Sequence, residues 1–350
     1  MERPGEKSIL LYPLEKEPET GNGSAVMVAP GILWLRMPLF AGLPWINVWA
    51  IADAGGWSIV DTGLQSDGTK NAWLTAFSGV LQGAPVVRVI ATHMHPDHCG
   101  MAGWITQRFE ARLWMSRLEY LTCRLMAEDT GRPAPDDAIE FYRSAGWDEQ
   151  AIERYKSKFG YFGEAIYPMP ASYRRISDGD TLRIGDHEWH VVVGNGHSPE
   201  HACLHCPELK LLISGDQVLP KISSNVSVYP LEPDANPLDD WMRSLAKLAA
   251  SVPDDVLVLP AHNSPFRGLH ARIGELTAGH QRALSRLEGM LAQRKRVVDL
   301  FGALFLRPIT PELLGMATGE TMAHLNYLAA RGCARREQDP EGVWWWRGTD

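Results

Sequence analysis

The 350-residue chain lacks several features that would assign a protein to a class at once. No stretch of 18 consecutive apolar residues occurs, which excludes a membrane-spanning helix. The five cysteines are an odd number scattered along a long chain, so they do not form the disulfide framework of a small secreted protein. The opening residues lead to no long apolar segment, so the sequence indicates no signal peptide. These absences predict a cytoplasmic protein without a membrane association.

Positive charge is also scarce. The chain has 34 Lys and Arg against 42 Asp and Glu, a formal net charge of −8, which gives no general attraction for nucleic acid or for an anionic membrane. Hydrophobic residues make up 45% and charged residues 22%, which are ordinary values for a globular protein. A chain of this length can bury a large core, and we expect it to hold more than one domain.

A dense group of metal-ligand side chains follows one apolar run. The run spans residues 86–91, is rich in β-branched residues and is typical of a strand buried on both faces. Directly after it come His93, His95, Asp97 and His98, spaced as H-x-H-x-D-H. Imidazole and carboxylate together suit zinc, and also iron or manganese. The alternative is a polar turn with structural histidines, but four ligand-type groups at this spacing favour a metal site.

Further ligand-type residues follow other apolar segments along the chain. His197, Asp216 and His262 each stand just past a segment with the composition of a strand. Asp61 ends a similar segment upstream of the dense group. Sites on α/β sheets usually form where strands give way to loops, so we expect these side chains to gather at one edge of the fold.

The order of these motifs resembles that of the metallo-β-lactamase superfamily, over roughly residues 25 to 270. The resemblance implies class α/β (α+β), with an αββα sandwich in which two sheets face each other and helices lie outside. The alternation of strand-like and helix-like segments fits that architecture. We therefore expect an N-terminal arm over residues 1–24, a metallo-β-lactamase-like domain over residues 25–270 and a C-terminal part over residues 271–350.

The resemblance also implies a role for each ligand-type residue. One metal would be held by His93, His95 and His197. The second would be held by Asp97, His98 and His262, and Asp216 would bridge the two. The implied cofactors are two divalent metal ions, with zinc as the first expectation and iron or manganese as alternatives. A carboxylate shared between two cations lowers the cost of holding them close together.

Two carboxylates have expected roles beyond ligation. Asp97 is both a ligand and a candidate catalytic proton acceptor, taking the proton of a metal-bridging hydroxide nucleophile. Asp61 is expected to orient a ligand imidazole from outside the metal shell. The alternative for Asp61 is a purely local role in the turn before Thr62 and Gly63.

Residues 117–175 depart from the minimal family core and predict a helical insertion, with helices over residues 118–128 and 136–159. The insertion ends in an aromatic, proline-rich segment. We expect that segment to form part of a lid over the metal site, with Tyr161 and Tyr167 contacting the substrate. The alternative is an insertion packed on the flank of the sandwich without substrate contact.

Other polar residues near the expected site have two interpretations. Lys221, Asn225 and Tyr229 are candidates to bind a substrate anion or to polarise a carbonyl. Each is equally explained as a surface residue. Glu200 departs from the family pattern, which often has a small residue at this position, and His201 is expected to support the site or the fold rather than to be a ligand.

Residues 271–350 predict a separate module. After a long helical stretch, three short helices are expected over residues 297–305, 310–316 and 320–331, followed by two strands around a Pro/Gly turn. Three helices and a hairpin resemble a winged-helix module. Between residues 280 and 350, ten Lys and Arg face eight Asp and Glu, a weak electrostatic footprint for nucleic acid. We therefore expect a structural or dimerising role, with a homodimer as the assembly.

The sequence as a whole predicts a metal-dependent hydrolase of a small-molecule ester, thioester or lactone. One alternative is an endoribonuclease or phosphodiesterase that grips nucleic acid with the winged helix. The net charge of −8 opposes this alternative, because phosphate contacts supply most non-specific affinity. The other alternative is a mononuclear-iron redox relative of the same scaffold. His95 stands where the diiron relatives carry Glu, which argues against the oxygen-reducing diiron branch.

Overall fold

Two β-sheets face each other in the computed structural model, which describes residues 10–39 and 42–349. In this part of the chain the first sheet has seven strands that lie side by side in chain order. They are β1 (Val26–Ala29), β2 (Ile32–Pro38), β3 (Trp45–Asp53), β4 (Gly56–Val60), β5 (Val86–Ile90), β6 (Arg112–Met115) and β7 (Arg174–Arg175). Strands β1 to β4 pair antiparallel, and β4 to β7 pair parallel. The ends of β4, β5 and β6 therefore lie along one edge of the sheet.

The second sheet has five strands within the described residues, in the order β12-β11-β10-β9-β8. They are β8 (Thr181–Ile184), β9 (His187–Gly194), β10 (His201–Cys206), β11 (Leu211–Gly215) and β12 (Leu257–Pro260). Strands β11 and β12 pair parallel, and the other neighbours pair antiparallel. A separate hairpin near the C-terminus joins β13 (Ala334–Gln338) to β14 (Trp344–Gly348).

Helices cover the outer faces of both sheets. In the described part of the chain they are α1 (Asp67–Ser78), α2 (Pro96–Cys99), α3 (Ala102–Phe109), α4 (Arg117–Glu128), α5 (Asp136–Ser144), α6 (Glu149–Lys158), α7 (Pro237–Ser251), α8 (Leu269–Met290), α9 (Phe301–Leu304) and α10 (Leu314–Ala330). Short 3-10 helices span Tyr161–Glu164 and Val297–Leu300. None of these described helices is long and apolar enough to cross a membrane.

Alternation along the strands explains how the sheets pack. In β2, Trp34 points between the two sheets, where it lies among other buried side chains such as Trp49 and Trp189. Its neighbour Leu35 points to the opposite face, where the helices of the first sheet pack. Burying one large apolar side chain stabilises a fold by about 1.5–3 kcal/mol. Two sheets packed face to face, with helices outside, confirm the predicted αββα sandwich.

The insertion departs from the prediction in one respect. The expected helix over residues 136–159 is instead two helices, α5 and α6. The chain turns between them at Gly146, whose φ is 99°, and the carboxylate of Asp148 accepts a hydrogen bond from the Ala151 N–H at 2.8 Å to begin α6. Both helices pack on the C-terminal part of the chain, where the Trp147 indole N–H donates to the Thr318 hydroxyl at 2.9 Å.

The C-terminal part also differs from the prediction. Separate helices over residues 310–316 and 320–331 are wrong, because α10 continues through Leu314–Ala330. Thr318 does not cap a new helix, since its hydroxyl donates to the carbonyl of Leu314 one turn earlier at 2.8 Å. The predicted hairpin is present as β13 and β14, and the winged-helix comparison stays a prediction.

The predicted N-terminal arm is described from residue 10 onward, and residues 1–9 lie outside the described residues. Leu10 is buried with the side chains that pack on the second sheet. Further along, Glu17 forms an ion pair with Arg36 of β2 at 2.8 Å. Residues 10–24 are therefore attached to the surface of the sandwich.

Candidate metal centre

Loops at the ends of strands from both sheets carry the seven ligand-type residues. His93 and His95 follow β5, and the short helix α2 then presents Asp97 and His98. From the second sheet come the other three, each just beyond its strand: His197 after β9, Asp216 after β11 and His262 after β12. The structure therefore brings all seven predicted residues together from segments far apart in the chain.

Two glycines allow the backbone directly before His197 and Asp216 to lie close to neighbouring groups. Gly196 precedes His197 with a φ of 104°, and a Cβ there would lie 2.5 Å from the Pro237 carbonyl oxygen. Gly215 precedes Asp216 with a φ of 50°, and a Cβ there would lie 2.5 Å from His201 Nε2. Side chains rarely adopt these left-handed conformations, so glycine is required on both steric and conformational grounds.

The first group of donors consists of His93, His95, His197 and Asp216, whose nearest donor atoms lie within 4.8 Å of one another. His93 Nε2 lies 2.8 Å from His95 Nδ1 and 3.3 Å from His197 Nε2. Three imidazole nitrogens thus converge on one point. A single shared proton would satisfy only one pair of them, whereas a metal ion would engage all three lone pairs.

The second group consists of Asp97, His98 and His262, and Asp216 lies between the two groups. One oxygen of Asp216, Oδ1, lies 3.5 Å from the Nε2 atoms of both His98 and His262. The other oxygen, Oδ2, lies 3.4 Å from His197 Nε2. The Asp216 carboxylate therefore presents one oxygen to each group, which is the geometry of a bridging ligand.

The second ring nitrogen of four of the five imidazoles has a partner outside the cluster. His98 Nδ1 lies 2.8 Å from Asp61 Oδ2, and His197 Nδ1 lies 2.8 Å from the Asn225 carbonyl oxygen. His262 Nδ1 lies 3.2 Å from the Trp45 carbonyl oxygen. His93 Nδ1 lies 3.1 Å from the Thr92 hydroxyl. Such partners fix which nitrogen carries the proton, and they leave Nε2 free to bind a metal.

Burial keeps His93 and His95 of the first group neutral. It lowers the pKa of His93 well below its usual value, and the neighbouring imidazole of His98 lowers it further. Burial, together with the neighbouring His197, lowers the pKa of His95 to about 3. A metal binds the neutral form of imidazole, so both side chains are ready to act as ligands at neutral pH.

The second group has the opposite electrostatic character. Burial alone would raise the pKa of Asp97, but the charge of His98 and the hydrogen bond with His262 lower it to about 2. Burial opposes protonation of His98, yet the carboxylates of Asp97, Asp61 and Asp216 raise its pKa well above the usual value. The pKa of Asp216 is lowered well below its usual value despite burial, chiefly by His262 and His98. This cluster of acids therefore attracts positive charge.

Unpartnered buried atoms support the fit of a metal ion. His98 Nε2 and Asp216 Oδ1 are buried, and neither has a hydrogen-bond partner among the described residues. A buried polar atom without a partner costs about 1–3 kcal/mol. Both atoms point into the cluster, so a cation bound there would give each a partner.

The two predicted lid residues contact solvent and the helices of the first sheet. Tyr161 is 65% exposed, and the Tyr167 hydroxyl donates to Gln107 Oε1 of α3 at 2.7 Å. The Tyr167 backbone N–H also donates to the Gly100 carbonyl at 2.7 Å, and Ile166 beside it is buried among the helices of the first sheet. The structure thus places this segment on the flank of the sandwich, in agreement with the flank-packing alternative.

The three candidate substrate-binding residues after Asp216 have different surroundings in the structure. Lys221 is exposed and lies over the ring of Tyr12 at 5.9 Å. Asn225 is adjacent to the cluster, because its carbonyl faces His197 while its side-chain amide donates to Glu320 Oε2 at 3.2 Å. Tyr229 is 47% exposed, and burial of its hydroxyl raises its pKa.

Two further buried residues contact the loops of the cluster. A supporting role for His201 was expected from the sequence, and the role of Glu119 was not. His201 Nε2 accepts a hydrogen bond from the Asp216 backbone N–H at 3.0 Å, so it fixes the backbone of the bridging residue. The count of histidines after His197 was a signal for it. Glu119 contacts the backbone of both ligand loops. Nothing in the sequence indicates this, because a Glu in an amphipathic helix usually faces solvent.

These features place two adjacent groups of metal-ligand side chains at the edge of an αββα sandwich. The family model of the Metallo-beta-lactamase superfamily matches residues 46–262, more than half of the chain. A second model, of the Metallo-beta-lactamase-like C-terminal domain, matches residues 284–349. The chain belongs to the metallo-β-lactamase superfamily, and it is a hydrolase of that fold.

Individual relatives agree with this assignment. The crystal structure of a beta-lactamase domain protein from Burkholderia ambifaria is 38% identical, with a TM-score of 0.89, over 97% of this chain and 98% of that chain. The acyl-coenzyme A thioesterase MBLAC2 of Gallus gallus is 27% identical over 67% of this chain and 79% of its own length. A hydroxyacylglutathione hydrolase of Rhizobium johnstonii is 31% identical over 29% of this chain and 37% of its own length.

Proposed function

We propose that this hydrolase holds two divalent metal ions, with zinc as the natural occupant, and cleaves a small-molecule thioester or a closely related ester or lactone. The observation that carries the proposal is the Asp216 carboxylate, which offers one oxygen to each of two donor groups. A shared carboxylate lowers the repulsion between two neighbouring cations, so this arrangement suits a pair of metals better than one.

The chemistry of the donors supports zinc. Five of the seven donors are imidazoles, and the other two are carboxylates. Zinc accepts nitrogen and oxygen ligands together, whereas magnesium and calcium prefer oxygen alone. Iron and manganese use the same residue types and are the competing occupants. The first group offers His93, His95 and His197 to one ion, and the second offers Asp97, His98 and His262 to the other.

Bound metal would supply Lewis acidity toward a substrate carbonyl and would lower the pKa of water. The chain's own residues do the positioning. Asp97 has a pKa of about 2, so it is ionised at neutral pH, and its carboxylate is available as a ligand and as a hydrogen-bond acceptor for the water that attacks the substrate. Asp61 holds His98, and the Asn225 carbonyl holds His197, so neither imidazole can rotate as charge develops.

Two observations support a small thioester over a nucleic acid. The relatives named above include an acyl-coenzyme A thioesterase that aligns over 79% of its own length, and a hydroxyacylglutathione hydrolase that aligns over 37% of its own length. The basic side chains of the C-terminal hairpin are also already paired. Arg336 contacts Asp234 and Arg347 contacts Glu337, both at 2.7 Å, which leaves little free positive charge for phosphate.

The test compares the wild type with Asp216→Asn. Asparagine keeps the shape but removes the charge, so we expect the wild type to bind two metal equivalents and the variant to lose at least one. Activity would be measured on a panel of acyl-coenzyme A and acyl-glutathione thioesters, lactones and phosphodiesters. Asp240→Asn, an exposed position on α7, is the matched control and should behave as wild type.

The outcomes separate the competing functions. Metal-dependent thioester turnover in the wild type, reduced by two orders of magnitude or more in Asp216→Asn, supports the proposal. Salt-dependent RNA binding with metal-dependent cleavage, and no turnover of the small-molecule panel, would replace it with the nuclease. A single iron per chain and no hydrolysis would replace it with the redox relative.

A further inference from the structure

One buried carboxylate outside the donor groups contacts the loops that carry them. Glu119, in the first turn of α4, has no exposed surface. Its Oε2 accepts a hydrogen bond from the Met94 backbone N–H at 2.9 Å. Its Oε1 accepts from the Ser198 hydroxyl at 2.6 Å and from the Glu200 backbone N–H at 2.7 Å. Three donors therefore converge on one carboxylate.

The three donors to Glu119 belong to the two loops that carry candidate metal ligands. Met94 lies between His93 and His95, and Ser198 directly follows His197. A single side chain thus ties the loop after β5 to the loop after β9. These two loops carry all three imidazoles of the first donor group, and they belong to different sheets.

The contact is reciprocal. The Glu200 carboxylate accepts a hydrogen bond from the Leu118 backbone N–H at 2.8 Å, at the start of α4. The Glu200 carbonyl accepts from the Ser116 hydroxyl at 2.7 Å. The first N–H groups of a helix have no partner within the helix and favour negative charge. Glu200, which departs from the usual family pattern, therefore anchors the start of α4 so that Glu119 faces the two loops.

Burying the Glu119 carboxylate costs free energy unless it accepts hydrogen bonds. Burial raises the pKa of Glu119, and the hydrogen bonds from Ser198, Glu200 and Met94 act against that rise. An apolar side chain at this position would leave two backbone N–H groups and a hydroxyl unpaired beside the donor cluster. The Glu119 carboxylate therefore satisfies three hydrogen-bond donors and connects the two loops.

We propose that Glu119 is a positioning residue, which together with Glu200 sets the spacing between the His93–His95 loop and the His197 loop and so sets the metal affinity of the first donor group. The inference rests on the proposed function, because it takes these three imidazoles to hold a metal. It predicts a selective effect: the first group should weaken while the second group, Asp97, His98 and His262, keeps its affinity.

The experiment measures metal binding rather than turnover. Zinc would be titrated against a competing chelator into the metal-free wild type, Glu119→Gln and Ser198→Ala, and the absorption spectrum of Co²⁺-substituted protein would be recorded for each. Glutamine supplies one acceptor oxygen and adds two N–H donors, so it cannot accept all three hydrogen bonds. Glu128→Gln, an exposed position on the same helix, is the matched control.

We expect Glu119→Gln to weaken one of the two zinc equivalents by 10- to 100-fold and to change the Co²⁺ spectrum, with the other equivalent unchanged. Ser198→Ala removes one of the three bonds and should weaken the same equivalent by a smaller factor. Glu128→Gln should match the wild type. A purely structural role would lower the melting temperature and leave both affinities as they are.

Wild-type affinities for both equivalents in folded Glu119→Gln would overturn the inference. If Glu119→Gln does not fold, unchanged affinities in Ser198→Ala would overturn it instead. Equal loss of affinity for both zinc equivalents would also contradict it, because the Glu119 carboxylate contacts the loops that carry the first group. A wild type that binds no metal would refute the proposed function itself, so the two failures are distinct.

Discussion

Asp61 occupies a backbone conformation that few side chains adopt. Its φ is 58°, in the left-handed region, where a residue other than glycine pays a conformational cost of about 1–2 kcal/mol. In return, its carboxylate accepts hydrogen bonds from the Thr92 N–H at 2.8 Å and from the Thr92 hydroxyl, and it contacts His98 Nδ1 at 2.8 Å. The strain is therefore located where it orients a candidate ligand.

Replacing Asp61 by Asn should weaken metal binding. Three donors converge on the carboxylate, and the amide has only one oxygen to accept them, so His98 loses a charged partner. We expect a 10- to 100-fold loss of affinity for the ion held by His98, measured by titration against a competing chelator. Asp67→Asn, at an exposed position nearby, is the control. Unchanged affinity in Asp61→Asn would leave Asp61 with only its local role in the turn.

The Glu320 carboxyl gives a pH prediction. Burial raises its pKa from 4.5 to about 7, against the effect of the hydrogen bond from Asn225. The folded state therefore holds this proton more tightly than the unfolded state. The resulting stabilisation is fully present below pH 4.5, and it is lost as the pH rises through about 7.

We therefore expect the free energy of unfolding of Glu320→Gln to rise relative to that of the wild type as the pH increases. Between pH 5 and pH 8 the difference between the two proteins should shift by about 1–3 kcal/mol in favour of the variant. The variant stays neutral, and its side-chain oxygen can still accept from Asn225. Urea denaturation at the two pH values measures the effect. Glu288→Gln, at an exposed position on α8, should show no such pH dependence. If neither variant changed the pH dependence of stability, Glu320 would have an ordinary pKa and would be in contact with water.

At the scale of whole elements, the sequence was most informative where chemistry and strand pattern coincided. Each ligand-type residue stands just beyond an apolar strand, so the strands of both sheets and the donor cluster could be predicted together. The lid could not. The aromatic composition of residues 161–170 is the same whether the segment covers a site or a flank, and only the contacts of Tyr167 with Gln107 and Gly100 distinguish the two.

The start of α10 was mispredicted for a similar reason. Thr318 and Gly319 look like the beginning of a helix, because Thr is a common N-cap and Gly weakens a helix interior. In the structure Gly319 lies within α10 at a close contact, where a Cβ would lie 2.7 Å from Ser227 Cβ and 2.8 Å from the Val228 carbonyl oxygen. Long-range packing of this kind leaves no local signal in the sequence.

This contact predicts that Gly319→Ala destabilises the protein. The added methyl group would force α10 away from the segment that contains Ser227 and Val228, at a cost of about 1–3 kcal/mol. Gly315→Ala is the matched control, because it lies in the same helix with open space around its Cβ position. Alanine there should stabilise the protein by up to about 1 kcal/mol. Thermal denaturation of both variants provides the measurement, and equal stabilisation by both would contradict the close packing.

At the scale of the whole molecule, the two sheets meet at the donor cluster. The first sheet supplies His93, His95, Asp97 and His98, and the second supplies His197, Asp216 and His262. A metal bound there would connect the two halves of the sandwich. Since the donors come from distant segments, an unfolded chain offers no such site, and metal binding should therefore stabilise the folded state.

Removing the metal should accordingly lower the melting temperature of the wild type. An ion present at 100 to 1,000 times its dissociation constant stabilises a fold by about 2.7–4.1 kcal/mol, which for a chain of 350 residues corresponds to a shift in melting temperature of roughly 4–6 °C. Calorimetry with and without a chelator, with the metal content checked by elemental analysis, measures it. In Asp216→Asn, which has lost the carboxylate shared by both groups, the chelator should have a smaller effect. An identical melting temperature for loaded and metal-free wild type would mean that the ions do not connect the two sheets.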